Sequence, residues 1–406
     1  MPRSGIVLCI VLLAWSAAGA LAAVRPAVDN AAAAEGVRTA LLSEQWRAGG
    51  IDDDEIFFGN IAAARADGEG NVLLLDSQLS RVMVISPQGE LTATLGREGD
   101  GPGEVRRPGD MFQTPDGTLC LLQSFPGRIV RLHRDGTPAG DGTYSTGSDD
   151  GSRFVVLVVG LPHPDGMVLG GIRMTFAGTG QSVQDYFLSV CNGEGVQQTQ
   201  LLTKRNTIDY GKFELSESGM DFIWSRCAVA ADGTVFAAPE RNEYRIEAFA
   251  GSAEPALVFS RTVTVPDRTS AQKQLARKVL EGIGSNYPVK PLRYIVEDTP
   301  PVIRGLWTTD DGLLWVQTGT GINTPPPGCW EVLDVFDGQG SFVRQVALPG
   351  EFDPQRDGLF ILRDGRLLVI TGALDAFLGQ QAVGGDDSTE SGADPLEVIC
   401  YDMDLN

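Results

Sequence analysis

Histidine is almost missing from this chain: His133 and His163 are the only two in 406 residues. A His-rich metal centre or a histidine-based proton relay therefore has little to draw on. No Gly-x-Ser-x-Gly is present, which removes the nucleophile elbow of a serine hydrolase. No Cys-x-x-Cys is present, which removes a zinc knuckle and a dithiol redox motif. Cations are scarce: 32 Lys and Arg stand against 53 Asp and Glu, a formal charge of -21. Nucleic-acid binding needs a cationic surplus to release counterions, so that class of partner is disfavoured, as is an anionic membrane surface. Solubility is the plain consequence of such acidity. Beyond residue 22 no apolar run is long enough to span a bilayer.

What is present begins with a Sec-type signal peptide over residues 1–22. Arg3 supplies its charge, Ile6 to Ala14 its apolar stretch, and Ala20-Leu21-Ala22 its small-x-small cleavage site. Cys9 lies inside the apolar stretch and no lipobox follows, so the expected location is periplasmic or extracellular. Residues 23–36 are Ala-rich and are expected to be a flexible segment ahead of a single domain over 37–406. That domain holds five cysteines: Cys120, Cys191, Cys227, Cys329 and Cys400. An odd count leaves at least one outside any intrachain disulfide, and the pairing is open.

One unit recurs along the domain: an apolar strand, Asp-Gly, and a second apolar strand. It is centred on Asp67-Gly68, Asp116-Gly117, Asp165-Gly166, Asp232-Gly233, Asp311-Gly312 and Asp364-Gly365. Asp-Gly suits a type I′ hairpin, whose two central residues need positive φ. Successive Asp residues are 49, 49, 67, 79 and 53 positions apart. A third and a fourth strand follow in most units, as in "RVMVIS" (81–86) and "ELTATLG" (90–96). Units of this length with four strands are propeller blades. The reading is all-β: a six-bladed propeller of four-stranded antiparallel blades. The sixth unit lacks a fourth strand, and "VRTALLSEQW" (37–46) is the unassigned strand expected to close it.

The stretch "LGREGDGPGEVRRPGDM" (95–111) is glycine-rich but precedes no helix, and its spacing differs from the dinucleotide fingerprint. It reads as a crossover between blades. Together with "VLLLDSQLSRVMVISPQGELTAT" before it, this segment resembles an NHL-type repeat of a six-bladed β-propeller. Asp76, Arg81 at the start of a third strand, the Pro87-Gln88-Gly89 turn and the crossover ending in Pro108 carry the likeness. Arg128 and Arg245 take the place of Arg81 in later blades. The resemblance covers about residues 56–135 and implies that these Asp and Arg side chains tie strands together. It points to secreted bacterial propellers. Six-bladed relatives also include lactonases and lyases that hold calcium or zinc in the central channel.

Propeller topology places the two–three loops and the blade-to-blade loops on one face. The long insertions all fall there: 96–107, 147–152, 204–221, 266–301, 318–329, 349–356 and 373–395. Long loops on a rigid scaffold are where function concentrates. Within 266–301 a helix is expected, capped by Thr269 or Ser270 and ended by Gly282 or Gly284. Leu275, Val279 and Leu280 would share its buried face, and Lys273, Arg277 and Lys278 its outer one. It either packs on the rim or lies over the channel mouth. Counting back from each Asp-Gly turn brings Asn60, Asp110, Ser225, Arg226, Arg304 and Asp357 to the mouth, with Val158 and Val159 from blade three. This mixed polar ring is the candidate ligand-binding set. Trp224, Trp307, Trp315 and Trp330 either stack on a ligand or fill the core. No cofactor is indicated; calcium is the one metal to consider, with Glu55, Asn60, Asp110 and Asp357 as its donors if they converge. The expected function is a non-catalytic propeller that binds a protein or a small polar ligand on the long-loop face. The alternative is a calcium-dependent lactonase or a lyase working in the channel.

Overall fold

A computed structural model describes residues 27–147, 154–177, 180–320, 325–382 and 395–405. The signal segment 1–22 lies outside these residues. The chain forms six antiparallel sheets of four sequential or near-sequential strands, a six-bladed propeller. Blade one runs through Ile61–Ala66, Val72–Asp76, Arg81–Ile85 and Leu91–Leu95. Its second strand is buried at every position, as is Leu119–Gln123 in blade two. Sheets packed between two neighbours bury both faces, which explains why these strands read as continuous apolar runs rather than as alternation.

The Asp-Gly turns are not type I′. None of the six Asp residues has positive φ; the following glycine does in five of the six, as at Gly117 (φ 85°) and Gly233 (φ 89°), but not at Gly68. In the second unit Thr114 N–H donates to Thr118 O and Gly117 N–H donates to Thr114 O. The Asp116 carboxylate accepts from Thr118 N–H. This is a type I turn followed by a left-handed glycine, in which Asp caps the bend. The same five-residue turn recurs in blades four, five and six, and joins strands three and four at Ser86, His133, Asn192 and Asp337. In blade one Asp67 occupies the first position of the turn and Gly70 (φ 84°) the left-handed one. Blade one is thereby offset by two residues from the others.

The closing strand is Leu41–Gly49, antiparallel to Glu397–Asp404 in blade six. The residues before it do more than expected. Val37–Thr39 pairs in parallel with the outer strand of blade five, Val37 opposite Gln345. Ala27–Asn30 pairs in parallel with the outer strand of blade four, Ala27 opposite Val258. Within the segment read as flexible, Ala27–Asn30 lies on the rim of blade four, and Val37–Thr39, expected to begin the closing strand, lies instead on the rim of blade five. Asn30 fastens the segment, donating to Gly340 O (3.0 Å) and accepting from Phe342 N–H (3.0 Å). An edge strand needs only main-chain donors and acceptors, so the small side chains of this stretch suit it.

Among the described residues three α-helices decorate the long-loop face. Helix α1 is a single turn at Glu217–Met220, α2 spans Ser270–Gly284 and α3 spans Ala373–Ala382. A capping box starts α2: Thr269 Oγ1 accepts from Gln272 N–H, and Gln272 Oε1 accepts from Thr269 N–H. Asn286, just past its end, donates to Gln381 of α3 (2.6 Å). All five cysteines are free, four of them buried and Cys329 half-buried.

Candidate functional site

Every inner strand delivers its side chains to the central channel, and a repeated irregularity aims one of them. The ladder between strands one and two slips at Ala62, Gly109, Val158 and Arg304, each the residue skipped between two paired neighbours. A bulge leaves its residue out of the ladder and turns it away from the sheet plane. Arg304 is the only charged side chain among the four, and it lines the channel.

The six expected residues separate accordingly. Asp110, Ser225, Arg226, Arg304 and Asp357 line a channel of about 870 Å³. Asn60 does not, because the offset turn of blade one puts Ala62 in the equivalent place. Asn60 is buried instead, donating to Ser77 Oγ (3.0 Å) and to Gln380 Oε1 of α3 (2.7 Å). Asp110 pairs with Arg65 (2.9 Å) and accepts from the backbone of Met111 and Gly160. Burial nevertheless raises its pKa, with the Arg65 charge and the backbone donors opposing that shift. Asp357 accepts from Asp353 N–H and Gly372 N–H, fixing the loop that leads into α3. Ser225 Oγ donates to Arg304 O, joining blade four to blade five.

These engagements bear on calcium. Asn60, Asp110 and Asp357 are bound to protein partners, and Glu55 is exposed. Among the described residues no group of three or more His, Cys, Asp or Glu side chains is placed to hold a metal ion. The expected donors do not fit a calcium site. His163 is buried with Nδ1 accepting from Asp165 N–H and Nε2 against Gly233 O, a tie between blades three and four.

Above the channel mouth lies a chamber of about 500 Å³. Its roof is α2, through Leu275, Ala276, Val279, Leu280 and Ile283. Of the α2 residues only Leu280 and Gly284 are buried; the rest of the apolar stripe borders open space. The strands of blade three extend beyond blade length, to Ala177 and from Gln181, and supply a wall with Ile172 and Tyr186. Trp224 and Arg304 border both chamber and channel, so the two spaces meet at these side chains. Trp315 and Trp330 fill the core, whereas Trp224 and Trp307 face the cavities. The outer cations of α2 are ordinary surface pairs: Lys273 with Asp298 and Arg277 with Glu281.

A charged lattice walls the chamber on the α1 side. Arg268 grips Glu217 with two hydrogen bonds (2.6 and 3.0 Å). Arg226 donates to Asp221 (2.7 Å) and to Phe222 O (2.7 Å). Arg241 bridges both acids at longer range (3.7 and 3.6 Å) and donates to Thr299 O. Lys204 donates to Ser218 O and Asp221 O; burial lowers its pKa, with the Asp221 charge opposing that shift. The sequence reading passed over Arg241, Arg268 and Glu217, and left Trp224 open between ligand stacking and core. Their one legible signal is the cationic run at the start of the α2 insertion. The ion pairs join loops up to 51 residues apart, and no local pattern encodes that.

No protein-family model matches the chain, and no protein of curated function matches its sequence. Solved structures do. A member of the DUF4221 family from Bacteroides vulgatus aligns at a TM-score of 0.49 with 6% identity, over 91% of this chain and 99% of that one. A gluconolactonase from Xanthomonas campestris aligns at 0.43 with 12% identity, over 90% and 91%. The calcium-binding protein regucalcin from Agrobacterium tumefaciens aligns at 0.41 with 12% identity, over 90% and 96%. The blade count and connectivity given above come from this chain's own sheets.

Proposed function

We propose that this protein is an exported, non-catalytic binding propeller that takes a small, partly apolar ligand in the chamber beneath α2. One observation carries the reading: a capped amphipathic helix buries Leu280 but leaves the rest of its apolar stripe, Leu275, Ala276, Val279 and Ile283, half-buried along a chamber at the channel mouth. A helix that only packed on the rim would bury that stripe. The chamber's size and mixture of apolar wall and few polar groups suit a small organic molecule. Export rests on the signal-like residues 1–22, and NHL-type kinship on the Asp76–Arg81 and crossover pattern. Among the described residues no helix is long and apolar enough to cross a membrane. The metal-dependent hydrolase reading draws no support from the channel, whose acids are already engaged.

The test is to purify the mature protein without organic additives, denature it, and identify released small molecules by mass spectrometry. A stoichiometric organic molecule whose re-addition raises the melting temperature is expected. Absence of any such molecule, combined with metal-stimulated hydrolysis of lactones, would replace this reading with the enzyme one.

A further inference from the structure

Resting on the reading of the chamber as a ligand site, we infer that its ligand is an amphipathic monocarboxylate. Its head group meets Arg304 and its apolar body lies under α2. Three Arg side chains line the chamber, Arg241, Arg268 and Arg304, against two acids, Glu217 and Asp221. Both acids are engaged: Glu217 by Arg268 and the Glu297 N–H, Asp221 by Arg226 and Arg241. Arg304 is the least engaged of the three. Its nearest acid, Glu331, is buried behind it at 3.6 Å from Nη1, too far for a hydrogen bond. Glu331 instead accepts from Gln317 Nε2 (2.8 Å) and Val332 N–H (2.9 Å).

Unsatisfied donors point the same way. Nε of Arg241 and Nη1 of Arg226 are buried without a hydrogen-bond partner; the buried Nη1 of Arg304 faces Glu331, while the rest of that side chain, 27% exposed, borders the chamber. Arg226 and Arg241 are themselves 2% and 9% exposed, bordering channel and chamber respectively. Buried guanidinium N–H groups without acceptors are costly, and a carboxylate is the planar acceptor that fits them. Burial also lowers the pKa of Arg304, against the pull of Glu331, and an arriving anion would offset that cost. Arg226, Arg241, Arg268 and Arg304 stand against Glu217, Asp221 and Glu331, a surplus of one that favours a monoanion over a phosphate dianion. Trp224, Val158 and the α2 stripe supply the apolar contact beside it.

Decanoate and decanol share the chain and differ in the head group. Their affinities would be measured by calorimetry on the full mature protein at pH 8, below micellar concentration. Decanoate is expected to bind about tenfold or more tighter, as a charge-assisted pair requires. Arg304→Gln should erase that preference; Arg304→Lys, which keeps the charge, should retain part of it. Circular dichroism and melting curves report whether each variant is folded, and the wild-type comparison stands without any variant. Equal binding of both probes would overturn the carboxylate assignment while leaving the chamber as a ligand site. Binding of neither would overturn it as well, and the co-purification experiment then judges the chamber separately.

Discussion

Asp76 holds four backbone N–H groups: those of Gly59, Asn60, Gln78 and Leu79. It is fully buried at the end of a second strand. Replacing it with Ala strands those donors, and a loss on the order of 3 kcal/mol or more is expected in urea unfolding. Asp53 does a related task near the surface, accepting from Gly49, Glu55 and Ile56 just after the closing strand. The hydrogen bond from Ile56 N–H, followed by those from Gly49 and Glu55, holds its carboxyl below the usual 3.8, against some desolvation. A depressed acid stabilises the fold above its unfolded pKa and loses that contribution as pH falls through the folded value. Asp53→Asn should therefore lower the melting temperature at pH 7, and the gap from wild type should close below about pH 4. At this scale the sequence is readable where a residue serves its own loop. Asp76 and Arg128 act as the strand ties their position implied, Arg128 through Gly101 O and Glu104 O of the crossover. Asp53, inside the acidic run Asp52–Glu55, is a loop staple. Arg304 was legible as a channel residue from its distance to the turn. That it lacks an acceptor was not, because Glu331 and Gln317 lie on other strands.

Elements were legible in proportion to how local their signals are. Of the alternatives the sequence left open for α2, the structure takes Thr269 as the cap and Gly284 as the last helical residue. Whether α2 sat on the rim or over the mouth depended on what its stripe met, and that is tertiary. The Asp-Gly turns were located correctly and typed incorrectly, since Asp can cap a type I bend without adopting positive φ. The segment before the closing strand was missed because a parallel edge strand requires no alternation of side chains. Its contribution is measurable. Deleting residues 23–36 should leave a folded protein that melts roughly 2–5 °C lower, from loss of one rim strand. Deleting residues 23–49 removes the fourth strand of blade six and bares an inner ladder, so an aggregating or unfolded chain is expected by gel filtration and circular dichroism.

Across the molecule, the six units, their order and the one-sided placement of insertions were written in the spacing of turns, because five of the six blades draw their four antiparallel strands from contiguous chain. Cysteine usage was not decided by parity alone; all five thiols are free. Burial pushes the Cys191 and Cys227 thiols up to about 12, and those of Cys120 and Cys400 to about 11. Native protein at pH 8 should therefore expose at most Cys329 to a thiol-reactive dye, and denatured mature protein all five. A dithiol reductant should leave the melting temperature unchanged.

The strap over blades four, five and six also sets a timetable. Leu41 faces Asp404 and Ala27 faces Val258, so the earliest strands of the domain find their partners only in its later blades. A chain threaded from its N-terminus through a ribosome or an export pore must carry this strap unpaired while blades one to three take shape. Ring closure is then the final event of assembly, governed by long-range encounter and slow on the scale of local hairpin formation. A chain stalled before residue 397 would keep its blades but never lock.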